Sequence, residues 1–232
     1  MKLEADILLR KYESVMGGYT SLLSFRLMNL CVKADPASLL AVQVEVYGEQ
    51  KNIEDVAKVS VSADDTMDVY PLHEDLLTSI GKGVMHVHPE FKQSLQTVHI
   101  ESKNKDLRFL RLVVPEVDDD RRDALNNAID VFYNETKTQY EVNRNKYLIE
   151  LNSVMKGEPK ADIDEAKETF DKIYDNNLDL AQRSIDEKQK EIEEAYQRYL
   201  TKMTEKAQAE KEQAAAEGEA VTHSLKMPLE NN

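Results

Sequence analysis

Tryptophan is absent from this chain, and cysteine, glycine and proline are scarce. The 232 residues include one cysteine, seven glycines and six prolines. The single cysteine, Cys31, excludes an intramolecular disulfide framework and fits a reducing compartment. No apolar run approaches the roughly 18 residues that a membrane span needs, so we expect no membrane association. Because helix breakers are so few, the composition favours long helices.

Positively charged residues are also scarce. The chain has 30 lysines and arginines against 44 acidic residues, which gives a net charge of −14. A general nucleic-acid-binding protein is basic, so nucleic acid can be contacted here only through a local patch. His86 and His88 form a His-x-His pair, but no acidic or cysteine partner stands at ligand spacing. We find no enzyme signature and expect no catalytic residue, metal or cofactor.

Three stretches have the periodicity of helices. Residues 3–30 form the first, residues 117–155 the second, and the third follows a break at Gly157-Glu158-Pro159. The apolar positions of the first and third helices are Leu3, Ile7, Leu8, Val15, Leu22, Leu23 and Leu30, and Ile163, Phe170, Ile173, Leu178, Ile185, Ile192 and Tyr199. A tight loop makes the second and third helices antiparallel, and narrow apolar seams require a third helix to cover them. The first helix is the only candidate.

Between the first two helices the apolar residues recur at every second position, which is the spacing typical of β-strands. Val42, Val44 and Val46 alternate with polar residues, and shorter runs farther along repeat the pattern. A short helix is predicted from Pro71 to about Lys82, closed by Gly81 and Gly83. This segment is predicted to be a small β-rich domain with one helix.

The sequence therefore predicts an α+β protein, a long three-helix bundle with an inserted small β-rich domain. The predicted units are the bundle at 1–32 and 117–205, the inserted domain at 33–116, and an acidic, disordered tail at 206–232.

The segment from Pro115 to Leu125 carries an unusual charge order at a predicted helix start. Asp118, Asp119 and Asp120 suit the positive end of the helix dipole, but Arg121 and Arg122 follow at once against that preference. The electrostatic cost is a few tenths of a kcal/mol. Arginine forks bind phosphate, so this pair is a candidate anion site.

Several strings occur in an order that resembles the ribosome recycling factor family over roughly residues 1–200. They are Ala37-Ser38-Leu39-Leu40 with Val44-Glu45-Val46-Tyr47-Gly48 for "ASPxLLxxIxVxYYG", Met85-His86-Val87-His88-Pro89 for "LGLNP", Pro115 to Leu125 for "PPLTEERRKxL", Glu141-Val142-Asn143-Arg144-Asn145 for "VRNxRR", and Glu187 to Ile192 for "KEKEIM". The order of helix, inserted β domain and two helices also resembles that family.

The resemblance implies a non-catalytic protein that binds the large ribosomal subunit after termination. Such a protein helps to split the subunits together with the translocase elongation factor G, which hydrolyses the GTP. The residues that the resemblance and their charge assign to ribosomal RNA are Arg121, Arg122, Arg144, Lys33 and Arg26. In the "VRNxRR" run Glu141 and Asn145 replace two arginines, which predicts weaker and less salt-dependent RNA binding.

A hinge is predicted where the chain crosses twice between the domains. Its residues are Ala34, Asp35, Pro36, Pro115 and Glu116, with a proline marking each crossing. The bundle would then act as a rigid lever that carries the β domain.

Alternatives stay open for both the arginines and the protein. The simpler interpretation of Arg121 and Arg122 is a solvated pair with the neighbouring aspartates. The protein could be a ribosome-associated or ribosome-assembly factor that kept the fold but lost recycling, or else a coiled-coil adaptor. We expect a monomer off the ribosome, in the mitochondrial matrix because of the sequence divergence, with the bacterial cytoplasm as the alternative.

Overall fold

In chain order, the fold consists of one long helix, a segment with two small sheets, and two more long helices. The computed structural model describes residues 3–101 and 104–224. Its elements are α1 (Leu3–Met28), β1 (Gln43–Val46), β2 (Glu49–Asn52), α2 (Ile53–Val56), β3 (Ala57–Ala63), β4 (Thr66–Pro71), α3 (Leu77–Val87), β5 (Lys92–Ile100), β6 (Lys105–Val113), α4 (Asp119–Val154) and α5 (Lys160–Ser224). The predicted fold class is confirmed, because a bundle of α1, α4 and α5 carries a domain inserted after its first helix.

The start of α4 and the turn into α5 follow from local chemistry. Asp118 caps α4 by accepting a hydrogen bond from the backbone N–H of Arg121 at 2.9 Å, and Asp119 and Asp120 occupy the first turn. The turn after α4 contains Gly157 at φ +87°, a left-handed conformation that glycine adopts without strain. These signals turn the chain back so that α4 and α5 pack antiparallel.

Aromatic and aliphatic side chains fill the bundle core. On α5 the predicted seam is confirmed, with Phe170, Ile173, Ile185 and Ile192 buried and its other members partly buried. On α1 the predicted apolar stripe is confirmed in part. Leu23 is buried and Leu8, Val15 and Leu30 pack partly buried against the core, whereas Leu3, Ile7 and Leu22 are exposed. The buried face of α1 consists of Ala5, Leu9, Tyr12, Met16, Leu23 and Leu27. An alanine, a tyrosine and a methionine on this face obscure its periodicity in the sequence.

One polar layer crosses the bundle core. The Thr20 hydroxyl of α1 donates to Oδ1 of Asn177 on α5 at 2.7 Å and lies 2.6 Å from the hydroxyl of Tyr140 on α4. Because a buried polar group is costly without its partner, a shift of any one helix would lose these bonds. The layer therefore fixes the register of the three helices.

The inserted domain has its own core between α3 and the sheets. Four antiparallel strands lie in the order β3-β4-β6-β5, and β1 and β2 form a separate hairpin. Tyr47 and Gly48 close that hairpin with positive φ at both positions, as a two-residue turn of the I′ kind requires. The buried residues of this core include Val44, Met67 and Leu112.

The predicted helix at Pro71 is misplaced. Pro71 is the last residue of β4, and α3 begins only at Leu77 after a short 3₁₀ turn. Gly81 and Gly83 lie inside α3 and do not close it. A Cβ on Gly83 would come within 2.4 Å of the Gln43 carbonyl oxygen, so this glycine permits close contact between α3 and β1.

Helix α5 extends farther than the sequence predicts. It continues to Ser224, whereas the predicted disordered tail begins at residue 206. Residues 206–213 are all exposed, so their helix is not held by core packing. They consist of alanine, glutamate, lysine and glutamine, which are strong helix formers. Residues 225–232 lie outside the described residues, and the domain limits drawn from the sequence stay predictions.

Candidate nucleic-acid interface

Arg144 of α4 lies against α5 in a cluster of charges and an aromatic ring. Its Nη2 group donates to Oδ1 of Asp171 at 3.0 Å, and its guanidinium carbon lies 4.8 Å from the ring centre of Tyr174. The Tyr174 hydroxyl donates in turn to Oε1 of Glu141 at 2.9 Å. The hydrogen bond to Asp171 raises the pKa of Arg144 above its ordinary value. The cluster thus contains one fully charged guanidinium and two carboxylates.

Arg122, near the start of α4, also lies against a tyrosine ring and a carboxylate. Its guanidinium carbon lies 4.3 Å from the ring centre of Tyr196, and its Nη2 group donates to Oδ1 of Asp123 at 3.2 Å. The Tyr196 hydroxyl donates to Oδ1 of Asp119 at 2.5 Å, and this bond raises the pKa of the phenol. We call these two clusters, Arg144 with Tyr174 and Arg122 with Tyr196, the arginine–tyrosine units.

The two units repeat along one groove because the helices are antiparallel and regular. Arg122 and Arg144 are 22 residues apart on α4, and Tyr174 and Tyr196 are 22 residues apart on α5. At 1.5 Å per residue the units lie about 33 Å from each other. The groove therefore presents two arginine side chains that are about one third exposed, 32% for Arg122 and 37% for Arg144.

The structure places Arg121 apart from these units, at the joint between the two domains. Its Nη2 group donates to the Cys31 carbonyl oxygen at 2.8 Å. Burial lowers the pKa of Arg121, and the nearby Glu90 carboxylate partly offsets that effect. Its observed contacts fasten the first turn of α4 to the segment that leaves α1.

Arg26 and Lys33 lie in other grooves of the bundle. Arg26 pairs with Glu135 at 2.5 Å and lies over the ring of Phe132, between α1 and α4. Lys33 approaches Glu191 of α5 at 3.9 Å. Of the five cations assigned to RNA from the sequence, only Arg122 and Arg144 share one groove, and four of the five side chains have an acidic partner.

Sequence reasoning missed Tyr174 and Tyr196. Neither residue belongs to a quoted motif, and the facing of α4 and α5 depends on a register that periodicity does not give. The equal 22-residue spacing of the two arginines and the two tyrosines is the signal that could have revealed them.

The predicted hinge residues lie between the two domains, where backbone hydrogen bonds attach both chain crossings to the β3–β4 turn. The β3–β4 turn holds both crossings, since the Ala34 N–H donates to the Asp64 carbonyl at 2.7 Å and the Val114 N–H donates to the Asp65 carbonyl at 2.8 Å. Asp35 caps the short 3₁₀ helix that starts at Pro36. Ala34, Asp35 and Pro36 are thereby attached to the β domain.

A cleft of about 490 Å³ opens beside this joint, lined by both crossings, the β3–β4 turn and the end of the bundle. Across it, Lys202 of α5 donates to Oε1 of Glu116 at 2.7 Å, which raises the pKa of the lysine. Pro115 also lines the cleft.

The described ranges 3–101 and 104–224 contain neither a metal-binding cluster nor a helix that could span a membrane. No cluster of three or more histidine, cysteine or acidic side chains there is arranged to hold a metal ion. His88 is buried and bonds instead to the Ser38 carbonyl oxygen at 2.9 Å. None of the helices in these ranges combines the length and apolar character of a membrane span.

Comparison with solved structures defines the class of fold. A solution structure of the ribosome recycling factor has a TM-score of 0.67 at 17% identity, covering 84% of this chain and all of that one. A model of the T. thermophilus ribosome recycling factor, built with the E. coli elongation factor G on the E. coli post-termination complex, has a TM-score of 0.53 at 22% identity. It covers 81% of this chain and 98% of that chain. The three-helix bundle with an inserted β domain is thus the recycling-factor fold.

Sequence comparison then identifies the family. The ribosome recycling factor family model matches residues 26–192, and the chain belongs to this family of translation factors. The ribosome-recycling factor of Clostridium tetani is 24% identical over 160 residues, which span 69% of this chain and 82% of that protein. The Salinibacter ruber factor is 26% identical over 162 residues, 69% of this chain and 80% of that protein.

Proposed function

We propose that this protein recycles ribosomes by laying the α4–α5 groove on large-subunit RNA after termination. The observation that carries the proposal is the pair of arginine–tyrosine units, which holds two guanidiniums on one side of the bundle. A guanidinium in a fixed position loses little entropy when it binds a phosphate. The residues that would contact RNA are Arg122 and Arg144, with Arg26 and Lys33 as outlying members and Arg121 at the joint.

The proposed partners are the large ribosomal subunit and a translocase of the elongation factor G type. One similar structure pairs a recycling factor with elongation factor G on a post-termination complex, which supports these partners. We propose that the protein itself has no catalytic chemistry, is a monomer off the ribosome, and promotes subunit dissociation. The curated relatives come from bacteria, which favours the bacterial cytoplasm over the mitochondrial matrix expected from the divergence.

The hinge belongs to the same proposal. Because the β3–β4 turn clasps Ala34 and Val114, we place the pivot on the bundle side of those bonds, at residues 29–33 and 115–118. Pro115 and Glu116 remain in the pivot, while Ala34, Asp35 and Pro36 move with the β domain.

One observation favours a second function, that of a ribosome-associated or assembly factor that contacts protein. Both arginines of the groove have a carboxylate partner, Asp171 for Arg144 and Asp123 for Arg122. Together with the net charge of −14, this pairing opposes a polyanion and suits a basic protein surface.

Ribosome pelleting across a salt series tests the RNA contact. We expect Arg144→Ala to weaken binding about tenfold, because a charge-assisted hydrogen bond is lost. We also expect the slope of log affinity against log salt to fall by about 0.7–0.9, the share of one phosphate contact. A subunit-splitting assay with the cognate translocase should show a matching loss of activity.

Arg183→Ala is the matched control for this experiment. Arg183 is exposed on α5 and lies nine residues after Tyr174, so it faces the opposite side of that helix. The control variant should bind like the unaltered protein. Salt-insensitive binding that Arg144→Ala leaves unchanged would support the protein-contact function, and absence from the ribosome pellet would point to a coiled-coil adaptor.

A further inference from the structure

The two arginine–tyrosine units hold their arginines through the same two kinds of contact, with the carboxylate on α5 at Arg144 and on α4 at Arg122. In each unit one tyrosine ring lies against the guanidinium, and one carboxylate accepts from its Nη2 group. In the described part of the chain the Nη1 groups of Arg122 and Arg144 have no hydrogen-bond partner. Each guanidinium therefore keeps a free donor edge while its position is fixed.

The Arg144 charge also acts on Tyr12 of α1. Burial raises the pKa of the Tyr12 phenol, and the nearby Arg144 charge is the chief influence that opposes this rise. Tyr12 is itself fixed in the core by stacking on Phe170, with the ring centres 4.3 Å apart. Side chains of α5 contact the guanidinium, and its Nε group is buried without a hydrogen-bond partner among the described residues.

Each unit carries one positive and two negative charges, and this balance determines how the unit interacts electrostatically with RNA. The net charge of such a unit is −1, so its long-range field opposes RNA, and affinity has to come from the placement of the donor edge. Arg144 already bonds to Asp171, and once released from its ring it would also turn toward Glu141 beside it. The ring is what keeps the donor edge available.

We propose that Tyr174 and Tyr196 are positioning residues, which hold Arg144 and Arg122 ready to bind two backbone phosphates about 33 Å apart. This inference rests on the proposed RNA contact of the α4–α5 groove. The tyrosines act through the arginines, and their rings carry the effect. Their hydroxyls, which bond to Glu141 and Asp119, are not required for it.

A double-mutant cycle on ribosome binding tests the inference at the first unit. Tyr174→Leu should weaken binding about two- to fivefold, the range of an exposed cation–π contact. Tyr174→Phe keeps the ring and should bind like the unaltered protein. Tyr174→Leu combined with Arg144→Ala should bind no more weakly than Arg144→Ala alone, because the tyrosine has nothing left to position.

The outcomes separate this inference from the function on which it rests. If Arg144→Ala binds normally, the RNA contact itself fails. If Arg144→Ala is weak but the two losses multiply in the double variant, the tyrosine acts independently and the positioning role is wrong. A Phe variant as weak as the Leu variant would overturn the role of the ring. Tyr196→Leu, Tyr196→Phe and Arg122→Ala repeat the cycle at the second unit, should Tyr174→Leu fail to fold.

Discussion

Two helices of this protein, α1 and α3, each contain two glycines. The two pairs differ in whether neighbouring atoms leave room for a side chain. In α1 of the bundle, Gly17 and Gly18 have no atom within 4 Å of an added Cβ. In α3 of the β domain, the nearest atom to an added Cβ belongs to a flexible side chain at Gly81 but to a backbone carbonyl at Gly83. One glycine of four is therefore required by packing.

The difference reflects how each domain is packed. The bundle separates its helices by large side chains such as Tyr12 and Phe170, so its helix backbones stay apart. The β domain brings a helix backbone directly against the edge of a strand at Gln43. The β domain has less room for change at its helix–strand contact than the bundle has along α1.

Gly83→Ala should have the largest effect on stability. The Cβ would lie 2.4 Å from the Gln43 oxygen, so α3 has to move off β1, at a cost of about 2–3 kcal/mol. Hydrogen exchange should rise in α3 and β1 and stay unchanged in α4 and α5. Gly81→Ala is the control, since its nearest neighbour is the flexible Gln93 side chain at 3.2 Å. Equal exchange in the two variants would show that Gly83 is not required.

The bundle was far more predictable from the sequence than this contact was. Long helices, their antiparallel turn and the α5 seam follow from period, breakers and large apolar residues. The glycines of α3 suggested a helix end because glycine is a poor helix former. The need for Gly83 becomes visible only when the neighbouring strand β1 is in place. The strand β2 was missed because all four of its residues are exposed and lack alternation.

Only those residues of the candidate site that carry a local sequence signal were predicted. Arg122 and Arg144 were found through local strings, and their place on one groove needs only helical geometry. Their partners Tyr174 and Tyr196, and the position of Arg121 at the joint, depend on contacts between elements distant in sequence. Such contacts have no local signal.

Replacing both bundle glycines by alanine should stabilise the protein, in contrast to Gly83. Gly17 and Gly18 lie mid-helix with open space around them, so each change should add about 0.5–1 kcal/mol by raising helix propensity. Chemical denaturation, with hydrogen exchange to assign the change to α1, measures the gain. A loss of stability would mean that α1 needs flexibility or close approach at this point.

Breaking the Lys202–Glu116 pair should have the smallest effect on stability and a selective effect on the joint. The lysine side chain is 63% exposed and the glutamate 51%, so Lys202→Gln should cost only about 0.2–0.5 kcal/mol. Because the pair links α5 to the proposed pivot, its loss should broaden the distance between a dye on the bundle and a dye on the β domain in single-molecule energy-transfer measurements. High salt should produce the same broadening in the unaltered protein, since it screens exposed charges. Lys206→Gln, one turn farther along the exposed helix, should leave the distance unchanged. If Lys202→Gln and Lys206→Gln give the same narrow distribution, then the backbone clasp at the β3–β4 turn sets the domain angle without help from this pair.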